Sequence, residues 1–100
     1  MQIIDKNIDK ISILCKAHNV ARLFVFGSVL NDSLKKDSDI DFLVDFASMD
    51  ISIYADNYFN LKFSLEELFQ REVDLLEEKA LKNPYFRQSI DKSKRLIYGH

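Results

Sequence analysis

Between Ile4 and His18 the apolar residues Ile4, Ile8, Ile11 and Cys15 recur at intervals of four, three and four, with Lys6, Asp9, Lys10 and Lys16 between them. That spacing predicts an amphipathic helix. Asp5 or Asn7 is suited to cap its start, and Asn19 to end it in the left-handed conformation. From Val20 to Phe26 the apolar residues scarcely alternate, which predicts a strand buried on both faces and stopped by Gly27. Ser28 to Ser33 leaves room for a turn or two of helix with Ser28 as its cap, and a polar stretch follows from Asp32 to Asp39. In the next predicted strand Asp39, Asp41, Leu43 and Asp45 share one face, and Ile40, Phe42, Val44 and Phe46 share the other.

Ile51, Tyr54, Tyr58, Leu61, Leu65 and Leu68 step by three and four without a break, predicting the longest helix. Phe59, Phe63 and Phe69 widen its apolar side, which is assigned to core packing. Glu72 to Glu77 predicts a third strand, with Glu72 and Asp74 on one face. Asn83-Pro84 opens a last helix, where a proline's missing N–H does no harm in the first turn, and Phe86, Ile90 and Ile97 form its inner side. No repeat or linker interrupts this order, so residues 1–100 are expected to form a single domain. Its class is α+β: a small mixed β-sheet of about three strands covered by helices.

Composition narrows the picture without redirecting it. With 100 residues, 47% hydrophobic and 30% charged, the chain is expected to fold on one core. No signal-like start and no run of ~20 apolar residues is present, so no membrane contact and a cytoplasmic location are expected. Cys15, the one cysteine, falls in register with Ile8 and Ile11 and is expected to be buried. A net charge of -2 argues against direct nucleic-acid binding, which draws on many Lys and Arg contacts to phosphate. His18 and His100 have no ligand-type neighbours and are expected to be solvated.

The chemistry gathers at Asp39 and Asp41. Two residues apart on a strand, their Cα atoms should lie about 6.5 to 7 Å apart with both side chains on one side. Carboxylates ~4 Å apart repel by about 4 kcal/mol at an effective dielectric near ~20, a cost that a cation removes. Oxygen-only ligands favour Mg²⁺, which is usually held by one or two carboxylates together with substrate phosphates, so a nucleotide is implied as well. Gly27 and Ser28 suit that nucleotide: the glycine lets phosphate near the backbone, and the start of the short helix offers N–H groups.

The order Gly27-Ser28, ten residues, Asp39-Ile40-Asp41 resembles the signature of the polymerase-β-like nucleotidyltransferase superfamily. FVFGS, DSDIDFLVDF and REVDLLEEKALKNPYFRQSI are similar to segments of its small stand-alone members, the MNT-type minimal nucleotidyltransferases, and the resemblance runs from Val20 to about Tyr98. It implies the polymerase-β-like nucleotidyltransferase fold, with Asp39, Asp41 and Asp74 as metal ligands and catalytic carboxylates and with Gly27 and Ser28 at the nucleotide. Glu72, on the same strand face, is the rival to Asp74. Two Mg²⁺ ions and ATP are implied as cofactor and substrate. Many relatives follow Gly-Ser with a basic residue and a later Arg-Gly; here Val29, Asn31 and Asp32 stand at those places, with Lys35 and Lys36 nearby.

MNT proteins often act beside a HEPN ribonuclease toxin, so the resemblance implies an antitoxin that transfers AMP from ATP to a tyrosine of such a partner. The acceptor is then a protein and not a nucleic acid. Two other readings stand beside this one: a non-catalytic antitoxin that masks the toxin by binding it, and a nucleotidyltransferase acting on a small molecule.

Overall fold

The structure, a computed structural model, describes residues 2–31 and 38–100. Helices α1 (Gln2–Asp5) and α2 (Ile8–Ala17) lead into strand β1 (Val20–Phe26) and a 3₁₀ turn (Gly27–Asn31). Strand β2 (Ile40–Phe46), helix α3 (Ile51–Phe69), strand β3 (Val73–Glu77), a second 3₁₀ turn (Glu78–Ala80), helix α4 (Pro84–Ser93) and strand β4 (Arg95–Tyr98) complete the order. The strands form one mixed sheet, β3-β2-β1-β4, in which β2 and β3 run parallel and the other pairs antiparallel.

The sheet therefore has four strands where about three were expected. The fourth comes from residues assigned above to the last helix. Lys94 takes extended dihedrals (φ -61, ψ 146) and stops α4, and the chain returns beside β1, placing Leu96 opposite Phe24. Ile97 consequently belongs to a strand, and of the predicted helix face Ile90 is buried while Phe86 is 45% exposed.

Helix limits have local causes. Asp50 caps α3 by accepting from the Ser52 N–H at 2.9 Å, and Gln70 ends it in the left-handed region at φ 53. Asn83 accepts from the N–H groups of Tyr85 and Phe86, with Pro84 at the first position of α4. The first predicted helix is broken in two near Asn7, whose side-chain amide donates to the Ile3 carbonyl at 2.8 Å instead of capping α2. Asn19 is left-handed, as expected, at φ 58.

Strand alternation sends residues to two cores. Leu23 and Val25 from β1, Ile40, Phe42, Val44 and Phe46 from β2, and Val73 and Leu75 from β3 pack with Ile11, Cys15, Leu61, Leu65 and Phe69 of α2 and α3. On the opposite face Phe24, Phe26 and Leu43 meet Ile90 of α4. Burial of β1 on both faces is thus borne out, as is burial of Cys15. Phe59 and Phe63 do not join either core. They stack on each other at 6.0 Å on the outer side of α3, because a helix against one sheet face buries only one stripe. Among the described residues no helix is long and apolar enough to cross a membrane.

Candidate active site

Strand direction decides which ends meet. Because β1 runs antiparallel to β2, its last residue, Phe26, lies beside Asp41 near the start of β2. Because β3 runs parallel to β2, its own start lies at that same end, and Asp74 pairs with Asp41. Asp39 directly precedes β2 and Gly27 directly follows β1. Three carboxylates and a glycine turn, carried by the adjoining ends of three strands, therefore lie at one end of the sheet.

Gly27 has φ 81, a left-handed conformation that side-chain-bearing residues rarely adopt. A Cβ built there would collide with Asp41 Oδ2 and lie 3.3 Å from its Cγ. The glycine thus makes room for the Asp41 carboxylate, in addition to any approach it allows a phosphate. Asp41 is half-buried between exposed Asp39 and Asp74. Burial, then the charge of Asp74, then that of Asp39 hold its carboxyl above the usual carboxylate range.

Those three causes describe a concentration of negative charge that a hard cation would relieve, and every donor is a carboxylate oxygen. The residues fit a divalent ion of the Mg²⁺ type. As they stand they are open: among the described residues no three Asp, Glu, His or Cys side chains gather at chelating distance. Mutual repulsion of like charges favours that spread arrangement.

A surrounding set of contacts, not foreseen from the sequence, fixes the backbone that carries these acids. Arg71 Nη1 donates to the Ser38 carbonyl at 3.1 Å, one residue before Asp39. Glu72 contributes its backbone, accepting from the Ile40 N–H at 3.2 Å, while its side chain is exposed. On the outer side of β3, Glu66 accepts from the Val73 N–H at 3.1 Å and Tyr58 donates to the Leu75 carbonyl at 2.5 Å. A sequence signal existed for Arg71, which stands three residues before Asp74 just beyond the left-handed Gln70.

The remaining candidates divide sharply. Val29, where the resemblance would have placed a basic residue, is 3% exposed and packed in the main core. The backbone of Ser28 lies in the 3₁₀ turn, but its hydroxyl and the Asn31 side chain lie outside the described residues, as do Asp32, Lys35 and Lys36. His18 is half-buried, its Nδ1 2.7 Å from the Leu14 carbonyl, and His100 is exposed. A hollow of about 230 Å³ bounded by Phe46, Met49, Tyr54 and Glu77 sits at the far end of β2, away from all three acids.

Residues 8–97 match the family model described as nucleotidyltransferase domain. The chain belongs to that family. It is 35% identical over 86 residues to "Putative protein adenylyltransferase MJ0128" of Methanocaldococcus jannaschii, which covers 86% of this chain and 83% of that protein. Among solved structures it is similar to a "putative minimal nucleotidyltransferase", at 29% identity and a TM-score of 0.77 over 94% of this chain and 92% of that one. It is also similar to a chain of the complex between a tri-AMPylated Shewanella oneidensis HEPN toxin and an MNT antitoxin. There the TM-score is 0.67 over 100% of this chain and 74% of that one, and the identity, 21%, speaks for fold alone. The protein is a nucleotidyltransferase of the small MNT type, with the mixed sheet and helices expected of that fold.

Proposed function

We propose that this nucleotidyltransferase is an antitoxin-type protein adenylyltransferase, moving AMP from ATP to a tyrosine hydroxyl of a HEPN ribonuclease toxin in a Mg²⁺-dependent reaction. The relatives named as protein adenylyltransferases and the AMPylated toxin complex of the same fold support this direction. The observation that carries the chemistry is the pairing of Asp41 with Asp74 across the parallel strands, beneath the glycine turn that leaves space for the Asp41 carboxylate.

In this reading Asp39, Asp41 and Asp74 are the residues that would hold Mg²⁺. When bound, the ion supplies positive charge to the phosphate oxygens and to the attacking oxygen. Gly27 and Ser28 open the turn toward the nucleotide, where N–H groups at the start of the 3₁₀ segment face the phosphates. Asp74, exposed at the strand edge, takes the proton of the acceptor hydroxyl. The acceptor oxygen forms its bond to the α-phosphorus as the bond to the bridging oxygen breaks, and pyrophosphate leaves. The protein's contribution is chiefly position: β2 and β3 present Asp41 and Asp74 from paired strands, with Asp39 directly before β2.

Incubation of the protein with labelled ATP, Mg²⁺ and a HEPN partner tests this directly. Transfer of label to the partner, lost in Asp39→Ala/Asp41→Ala, is the expected result. No transfer by the wild type, with inhibition of the partner intact in the double variant, identifies an antitoxin that works by masking. Transfer to a small-molecule acceptor alone would identify the third class.

A further inference from the structure

Strand β3 lies at an edge of the sheet, with β2 on one side and, among the described residues, no strand on the other. An edge strand is ordinarily the loosest part of a sheet, because half of its backbone groups lack ladder partners. Here α3 supplies those partners from two side chains. Glu66 accepts from the Val73 N–H, and Tyr58 donates to the Leu75 carbonyl. Val73 and Leu75 are the two neighbours of Asp74, so both outward-facing backbone contacts bracket that one carboxylate. Asp74 itself faces the opposite sheet surface, in line with Asp41.

The two contacts suit a holding role. At 2.5 Å the Tyr58 bond is at the short end for an O–H donor, and a phenol is a donor at neutral pH. A Glu oxygen accepting from a backbone N–H is a charge-assisted bond. Both α3 residues lie on a 19-residue helix anchored by Leu61, Leu65 and Phe69 in the main core, so they transmit its rigidity to the strand.

We infer that Tyr58 and Glu66 are positioning residues for the transfer reaction, holding the edge strand so that Asp74 stays opposite Asp41. The inference rests on the reading of Asp74 as a metal-binding carboxylate.

The test uses Tyr58→Phe, which keeps the ring and loses the donor, Glu66→Leu, which loses the acceptor, and Glu66→Gln, which keeps an acceptor oxygen. Binding of Mn²⁺ without nucleotide is measured by electron paramagnetic resonance, and AMP transfer by kcat and KM. Tyr58→Phe and Glu66→Leu are expected to weaken Mn²⁺ binding about fivefold and lower kcat about tenfold, with the KM for ATP within about twofold, as befits a loss felt at the reacting centre. Glu66→Gln is expected to restore most of both. Folded Tyr58→Phe and Glu66→Leu proteins with wild-type Mn²⁺ affinity would overturn the inference, as would a wild type that binds no Mn²⁺. If the wild type transfers no AMP but Mn²⁺ affinity still falls in the two variants and returns in Glu66→Gln, the positioning of Asp74 for metal stands and the transferase reading fails.

Discussion

Gly27 and Asp41 occupy one space: a Cβ on the glycine would collide with the Asp41 carboxylate oxygen, and the glycine's φ of 81 is one that an added Cβ would strain. The first residue of the turn and the residue at the centre of the acidic cluster are therefore chosen together. Sequence logic assigned the glycine to the phosphates, and the structure gives it a prior duty to the carboxylate.

Gly27→Ala should consequently cost about 1 to 3 kcal/mol of stability, through both backbone strain and displacement of Asp41. In Gly27→Ala/Asp41→Ala only the strain remains, because the Asp41 Cβ lies 3.6 Å from the position of the added methyl, an ordinary contact. A thermal-denaturation double-mutant cycle should then show a coupling of about 0.5 to 2 kcal/mol, the second substitution partly rescuing the first. Additive effects would mean that the two residues do not compete for space.

Asp41→Asn should raise the melting temperature of the metal-free protein by about 2 to 4 °C, the scale of a ~0.5 kcal/mol gain for a domain of this size. The sign follows from the raised carboxyl. A group whose pKa is higher in the folded state favours folding when protonated, and that contribution is lost as pH rises through the folded-state value. Removing the charge recovers it. The same variant should lose the Mg²⁺-dependent rise in melting temperature that the wild type is expected to show.

Cys15 is fully buried, and burial pushes its thiol up to about 12. Labelling by iodoacetamide at pH 8 should be slow in the folded protein and should follow the rate of unfolding on addition of urea. Stability should hold up to about pH 9, the ordinary value for the group, and decline as pH rises toward 12, since the unfolded chain releases the proton first. Rapid labelling under native conditions would place the thiol at the surface.

Arg71→Lys should weaken Mn²⁺ binding several-fold while lowering the melting temperature by less than about 4 °C, because an ammonium does not reproduce the guanidinium's rigid planar placement of the Nη1 donor on the Ser38 carbonyl. Isothermal titration beside a melt separates the two effects. A large loss of stability with unchanged ion affinity would make Arg71 a residue of the fold rather than of the site.

The periodic elements were readable in the sequence because a single face decides each of them. Leu61, Leu65 and Phe69 mark α3 whatever surrounds it, and Asp39 and Asp41 announce themselves through their spacing, while Asp74 stood level with Glu72 on its strand face until the family resemblance separated them. Strand β4 was not readable. Four residues after a short helix, with Ile97 falling in helical step with Ile90, carry no period of their own, and pairing with β1 settles them. Phe59 and Phe63 went wrong for a related reason: apolarity shows that a face exists, while the width of the buried stripe depends on what the helix lies against. The contacts of Tyr58 with Leu75 and of Glu66 with Val73 depend on α3 folding back along β3, and local sequence holds no trace of that distance.

The parallel run of β2 beside β3 also sets an order of events as the chain folds. Strands β1 and β2 can pair antiparallel once Phe46 has been made, but Asp74 cannot reach Asp41 until the whole of α3 has formed and crossed the sheet. The carboxylate cluster is thus completed late, by a long-range pairing that is intrinsically slow. A nascent chain holds Asp39 and Asp41 well before it holds Asp74, so the three carboxylates come together only with docking of the helix.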